Sequence, residues 1–261
     1  MRLSRLALIW VFSNLIIFAC NQKSSVEYMP VSTSSDLARE YYETAATALD
    51  QVKLSAAWEN LQMALKEDPD FFMANFWMYF ISNKRPKEVA EKILQSDAPL
   101  NDAEKELKTA FKYLLEGQND KVVEYIEKAI AMYPHDPQLY KILYTLQLQF
   151  MNDIEGSIVT IEKAIEADPD FPLAYNMLGY AEMELENYNQ AEKAFDQYIE
   201  LAPKQANPYD SKGDYFMYTE QYQKAYESYL KAFGLDSSFT VSQKKAEKAR
   251  KMMEDAEDQS P

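Results

Sequence analysis

The chain has 261 residues, 47% hydrophobic and 26% charged, with 42 acidic against 27 basic side chains and a net charge of −15. That length carries one or two domains, and a charge of this sign repels phosphate backbones, which argues against a nucleic-acid partner. Five glycines, one histidine and one cysteine leave no Gly-rich phosphate loop, no zinc ligand set and no disulfide framework, so no cofactor is expected.

Residues 1–20 read MRLSRLALIWVFSNLIIFAC. Arg2 and Arg5 make a basic start, and Leu6 to Phe18 form an apolar run broken by Ser13 and Asn14. The run is shorter than the ~20 residues a membrane-spanning helix needs, and the pattern is that of a cleaved export signal over 1–19. Cys20 ends the run directly behind Ala19. This resembles a bacterial lipoprotein signal, although Phe18 is bulkier than the residue usual at its position. The resemblance implies that Cys20 is lipidated, becomes the mature N-terminus and anchors the protein in the cell envelope, at the outer membrane. Losing Arg2 and Arg5 would take the net charge to −17. Residues 21–35 are polar and Ser-rich and cannot bury enough apolar surface to fold alone. The stretch 20–35 therefore reads as a lipidated cysteine followed by a flexible tether.

From there on the sequence repeats. Pro69, Pro99, Pro134, Pro169 and Pro203 stand 30, 35, 35 and 34 residues apart, and another 34 lead to Ser237. Ala64, Ala129, Ala164 and Ala232 lie five residues before such markers, and Leu61, Ile126, Ile161, Phe195 and Tyr229 lie eight before. Small residues let helices approach closely and the larger ones fill the gap, so a period near 34 signals paired-helix repeats. Residues 38–71 form a first unit. Residues 72–102 depart most, with an aromatic first helix (Phe72, Phe76, Trp77, Tyr79, Phe80) and a shortened pair near Pro86, which predicts a distorted repeat or a packing junction. Residues 103–136 and 137–171 follow more weakly, the second with one extra residue in its inter-helix turn. The clearest unit is 172–205, with Tyr175, Leu178 and Gly179 on a first helix, Asn187 and Tyr188 at a turn, and Ala191, Phe195 and Ile199 on a second helix ended by Pro203. Residues 206–239 repeat it with Tyr209, Gly213, Tyr222, Ala225, Tyr229 and Ala232. Residues 240–256 carry a sparse apolar stripe (Val241, Ala249, Met252, Met253, Ala256), as a helix capping the last repeat requires. Apolar residues recur at three and four throughout, so no strand pattern competes.

These units resemble tetratricopeptide repeats over residues 38–239. The resemblance implies an all-α, right-handed superhelical solenoid of about six antiparallel helix pairs over 36–239, followed by a capping helix and acidic tail over 240–261. It also implies a non-enzymatic role in protein–protein interaction. In this family the concave groove is built from first-helix residues, and the matching positions here are Tyr42, Phe76, Leu107, Phe111, Asn176, Tyr180, Met183, Asp210, Asp214 and Met217. Such a groove is aromatic and Met-lined and turns acidic toward its C-terminal end, which suits another envelope protein or peptide carrying a basic segment. The alternative is a ligand-binding lipoprotein whose aromatic groove holds a glycan or another small molecule. Glu182 with Glu186 reads as a solvated helix face and His135 as a turn residue, so no catalytic residue and no metal ligand is assigned.

Overall fold

The structure is a computed structural model that describes residues 27–82 and 84–258, and among them every regular element is helical. The predicted signal over 1–19 and Cys20 lie outside the described residues. Six helix pairs follow one another: α1 (Asp36–Asp50) with α2 (Leu54–Glu67), α3 (Phe72–Ile81) with α4 (Lys87–Gln95), α5 (Asp102–Leu115) with α6 (Asn119–Met132), α7 (Pro137–Leu146) with α8 (Ile154–Ala167), α9 (Pro172–Glu184) with α10 (Tyr188–Leu201), and α11 (Asn207–Tyr218) with α12 (Tyr222–Leu235). A last helix, α13 (Thr240–Asp258), packs on α12.

The period has a physical cause in each repeat. Ala57, Ala64, Ala129, Ala164, Ala191, Ala225 and Ala232 are fully buried where second helices press on their neighbours. Gly179 and Gly213 on first helices lie so close to Phe195 and Tyr229 that a Cβ at either glycine would sit 2.6 or 2.5 Å from a ring carbon. The prolines matter through their carbonyls as well as their rings. Tyr140 donates to Pro134 O at 3.0 Å, Tyr175 to Pro169 O at 3.1 Å and Tyr209 to Pro203 O at 3.1 Å, so one hydroxyl staples each of these three turns. The turn between paired helices likewise repeats its backbone, with Val52, Arg85, Gly117, Asn152, Glu186 and Glu220 all in the left-handed region.

Two departures expected from the sequence take definite form. The second repeat is a true but short pair, ten residues in α3 and nine in α4. Its aromatics form a junction: Phe76 and Tyr79 both meet the Phe111 ring, at 6.0 and 4.9 Å between centroids. One continuous core therefore runs from Ala38 to Leu146, whereas smaller, successive clusters serve the later repeats. The extra residue of the fourth repeat is absorbed as a π-helical turn over Gln147–Met151 that ends in left-handed Asn152, a single-turn bulge at the end of a helix.

Residues 29–33 do not behave as the spacer their composition suggests. They form a strap across the helix ends of the first four repeats. Met29 N donates to Asp136 Oδ2 at 2.9 Å, and Ser32 N to Glu104 Oε1 at 2.9 Å. Asn101 Nδ2 donates to Pro30 O at 2.7 Å, and the Thr33 hydroxyl to Asp68. Any free spacer after Cys20 thus ends before Met29.

Candidate functional site

The inner face expected from the repeat pattern is the row of equivalent first-helix positions on successive repeats. At the N-terminal end that row is interior. Tyr42, Phe76, Leu107 and Phe111 are all buried in the continuous core, so they are packing residues, contrary to their expected place in a groove. The cause is the aromatic second repeat, which draws neighbouring first helices into one core. Asn176 and Met183 are also buried, and the Asn176 side-chain oxygen has no hydrogen-bond partner among the described residues. Tyr180, Asp210, Asp214 and Met217 are half-buried and remain partly accessible.

The acidic end is not an open acidic surface. Tyr180 donates to Asp214 Oδ2 at 2.8 Å across one repeat, and Tyr229 donates to Asp214 Oδ1 at 2.7 Å. From α13, Lys245 reaches Asp210 at 2.7 Å and Asp214 at 2.8 Å, while Ser242 donates to Asp210. Burial, with Asp214 beside it, holds the Tyr180 hydroxyl well above the ordinary tyrosine value. For Lys245 burial opposes the charge, but the bonds to Asp210 and Asp214 outweigh it and raise its pKa. The capping helix therefore neutralises the carboxylates that were expected to select a basic partner. The sequence placed the aspartates on the right face, but Lys245 lies 31 and 35 residues away and read as part of a solvated helix.

The first repeat also reaches later ones. Asp50, at the end of α1, accepts from Lys141 Nζ at 2.6 Å and from Gln138 Nε2 at 2.8 Å, both on α7. Lys141 is buried and also lies over the Trp77 ring, 4.9 Å from its centroid. Three residues on, Lys53 pairs with Asp236 at 3.1 Å, joining the first inter-helix turn to the turn before α13. Tyr198, bonded to Asn207, is pushed up to about 12 by burial, with Asp50 adding to the effect. The two ends of the array thus meet across a cleft of about 560 Å³. Val52, Lys53, Leu54, Ser55, Ala56 and Glu59 line one wall, and Asn207, Asp210, Ser238, Phe239, Val241 and Ser242 contribute the other. Nothing in the repeat pattern forecast this seam, because a periodic sequence carries no mark of how far its superhelix closes.

Among the described residues no three His, Cys, Asp or Glu side chains gather as a metal centre requires, and no helix is long and apolar enough to cross a membrane. Helix pairs in tandem, a small-residue contact in each pair and a capping helix define a helical-repeat solenoid. Models of the tetratricopeptide repeat match residues 160–193 and 206–239, each one full period, so the chain carries repeats of that kind; neither match is to a catalytic family. Among solved structures, a thermophilic tetratricopeptide repeat protein from Thermus thermophilus aligns with a TM-score of 0.50 at 14% identity, over 81% of this chain and 98% of that one. The first tetratricopeptide repeat domain of the human RPAP3 protein aligns with a TM-score of 0.45 at 16% identity, over 49% and 99%. MamA from Desulfovibrio magneticus RS-1 aligns with a TM-score of 0.42 at 15% identity, over 79% and 99%. At such identities the first of these likenesses establishes the fold. No functionally curated protein matches the sequence.

Proposed function

We propose that this protein is a non-enzymatic adaptor, held at the bacterial outer membrane by a lipid on Cys20, that binds another envelope protein or peptide through its repeats. The observation that carries the interaction role is the tandem of tetratricopeptide repeats. The anchoring role rests on Arg2, Arg5, the apolar run and the lone Cys20. Acyl chains supply membrane affinity of about 0.8 kcal/mol per buried methylene, so two or three chains hold a body without the help of a spanning helix. Nine peptide steps from Cys20 to Met29 would keep that body within about 30 Å of the lipid. The glycan alternative asked for accessible aromatic faces, and burial of Tyr42, Phe76 and Phe111 removes three of them.

Cys20→Ser is expected to release the protein from membranes with its helicity unchanged. Mass spectrometry of membrane-extracted parent protein should find a lipid-modified Cys20 at the N-terminus. An unmodified Cys20, or a different N-terminus, ends the anchoring proposal. Crosslinking followed by pull-down from envelopes tests the adaptor role separately, because it is read from the captured polypeptide.

A further inference from the structure

The cleft where the first and last repeats meet has the size of a binding site, several hundred cubic ångströms, and its walls set five apolar side chains among seven polar ones. Val52, Leu54 and Ala56 form one wall and Phe239 and Val241 the other, with Asn207, Asp210 and Ser242 between them. Three of these side chains are large, apolar and outward-facing: Val52 is 36% exposed, Leu54 54% and Val241 60%. They converge from opposite ends of the chain, which isolated surface residues do not do. Val52 also holds a φ of +57°, a conformation that branching at Cβ makes costly. The equivalent turn positions are Arg85, Gly117, Asn152, Glu186 and Glu220, none of them β-branched. Backbone strain of this kind concentrates at functional sites.

Charge selects the occupant. Among the described residues Lys53 is the one cation lining the cleft, and Asp236 neutralises it. Asp210 is already satisfied by Lys245 and Ser242. Glu59, exposed on the rim, makes no ion pair among the described residues, and the chain as a whole carries −15. We infer that this seam, between the first inter-helix turn and the start of α13, binds a polypeptide segment that presents apolar side chains beside Lys or Arg. The inference rests on the adaptor reading and moves its contact surface from the inner face to the seam. Occupancy joins repeats one and six, which are remote in sequence, so binding also fastens the two ends of the solenoid together.

The test uses the full-length protein and two labelled hexapeptides, Leu-Lys-Ala-Leu-Lys-Ala and its Glu counterpart Leu-Glu-Ala-Leu-Glu-Ala, read by fluorescence anisotropy. The Lys peptide is expected to bind and the Glu peptide is not. Leu54→Ser with Val241→Ser should weaken the Lys peptide about tenfold or more, and Glu59→Gln about threefold. Leu230→Ser, an exposed leucine on α12, should leave binding unchanged. Bound peptide should slow amide exchange in the first turns of α2 and α13 together, a signature that non-specific attraction to an acidic surface does not give. Equal binding of both peptides, no binding of the Lys peptide at millimolar concentration, or full binding by the folded double variant each overturns the seam site. If a partner captured from envelopes binds the double variant like the parent, the seam fails while the adaptor role stands; if no partner is captured, the adaptor role itself fails.

Discussion

Gly179 and Gly234 show how one substitution takes opposite signs at two places in the same repeat pattern. A Cβ at Gly179 would meet Cε1 of Phe195 at 2.6 Å, and the fully buried ring cannot swing away. Gly179→Ala should destabilise by about 1–3 kcal/mol through overpacking. Gly234 on α12 has nothing within 4 Å of its Cβ position, so Gly234→Ala should stabilise by about 0.5–1 kcal/mol as the unfolded chain loses freedom. Urea denaturation of both variants checks the pair, and two shifts of the same sign would contradict the packing described. This residue-scale contact was legible in the sequence because it lies within one repeat: Gly179 and Phe195, Gly213 and Tyr229 share a spacing. The inner-face residues were not legible in the same way. Position in a repeat says which way a side chain starts out, and the neighbouring repeat decides whether it ends in the core, as Phe111 does, or in an ion pair, as Asp214 does.

At the scale of an element, the strap over residues 29–33 sets buried charge against hydrogen bonding. Glu104 is fully buried and Asp136 nearly so. Burial raises both carboxyl pKa values despite the backbone N–H groups of Ser32 and Asn101 on one and Met29 and Gln138 on the other. A carboxyl whose pKa is higher in the folded state gives stability that is complete below its ordinary value, 4.5 for Glu104, and is lost as pH rises through the folded one. Lowering the pH from 7 toward 4.5 should therefore stabilise the parent relative to Glu104→Gln, measured as the difference in urea midpoints at each pH. Asp102, Asp236 and Glu124, whose pKa values are held low by lysine or serine partners, with Glu124 at about 2, titrate below that window and do not mask it. A constant difference across the window would mean that Glu104 titrates alike folded and unfolded. Composition hid the strap, since a Ser-rich stretch shows nothing of partners such as Asp136, 107 residues away. The π-helical turn in the fourth repeat was legible as one residue too many, but its form was not, because an insertion can lengthen a turn or bulge a helix at similar cost.

Across the whole molecule, cohesion is uneven. Repeats one to three share one aromatic core with α7, while the last two repeats hold smaller clusters around Phe195 and Tyr229. In a solenoid each repeat leans mainly on its neighbours, so amide exchange should be fastest in α11–α13 and slowest in α3 and α5. The closure between ends rests on few side chains. Asp50→Asn leaves buried Lys141 facing a neutral group and should cost about 1–3 kcal/mol, tempered by the partial exposure of Asp50. Lys53→Gln, which removes the pair between the first inter-helix turn and the turn before α13, should enlarge the radius of gyration measured by small-angle scattering, and an unchanged radius would show that this pair does not hold the ends together. The helix-pair architecture followed from the period, but this closure did not, since it depends on small rotations summed over six repeats. The strap has a mechanical consequence as well. Tension applied at Glu27 reaches α1 only after the bonds at Met29, Pro30, Ser32 and Thr33 have been drawn out one by one. The seven residues from Met29 to Ser35 then span at most about 23 Å at ~3.3 Å each, so the chain gains only the difference between that span and the strap's folded length while every helix behind it stays folded.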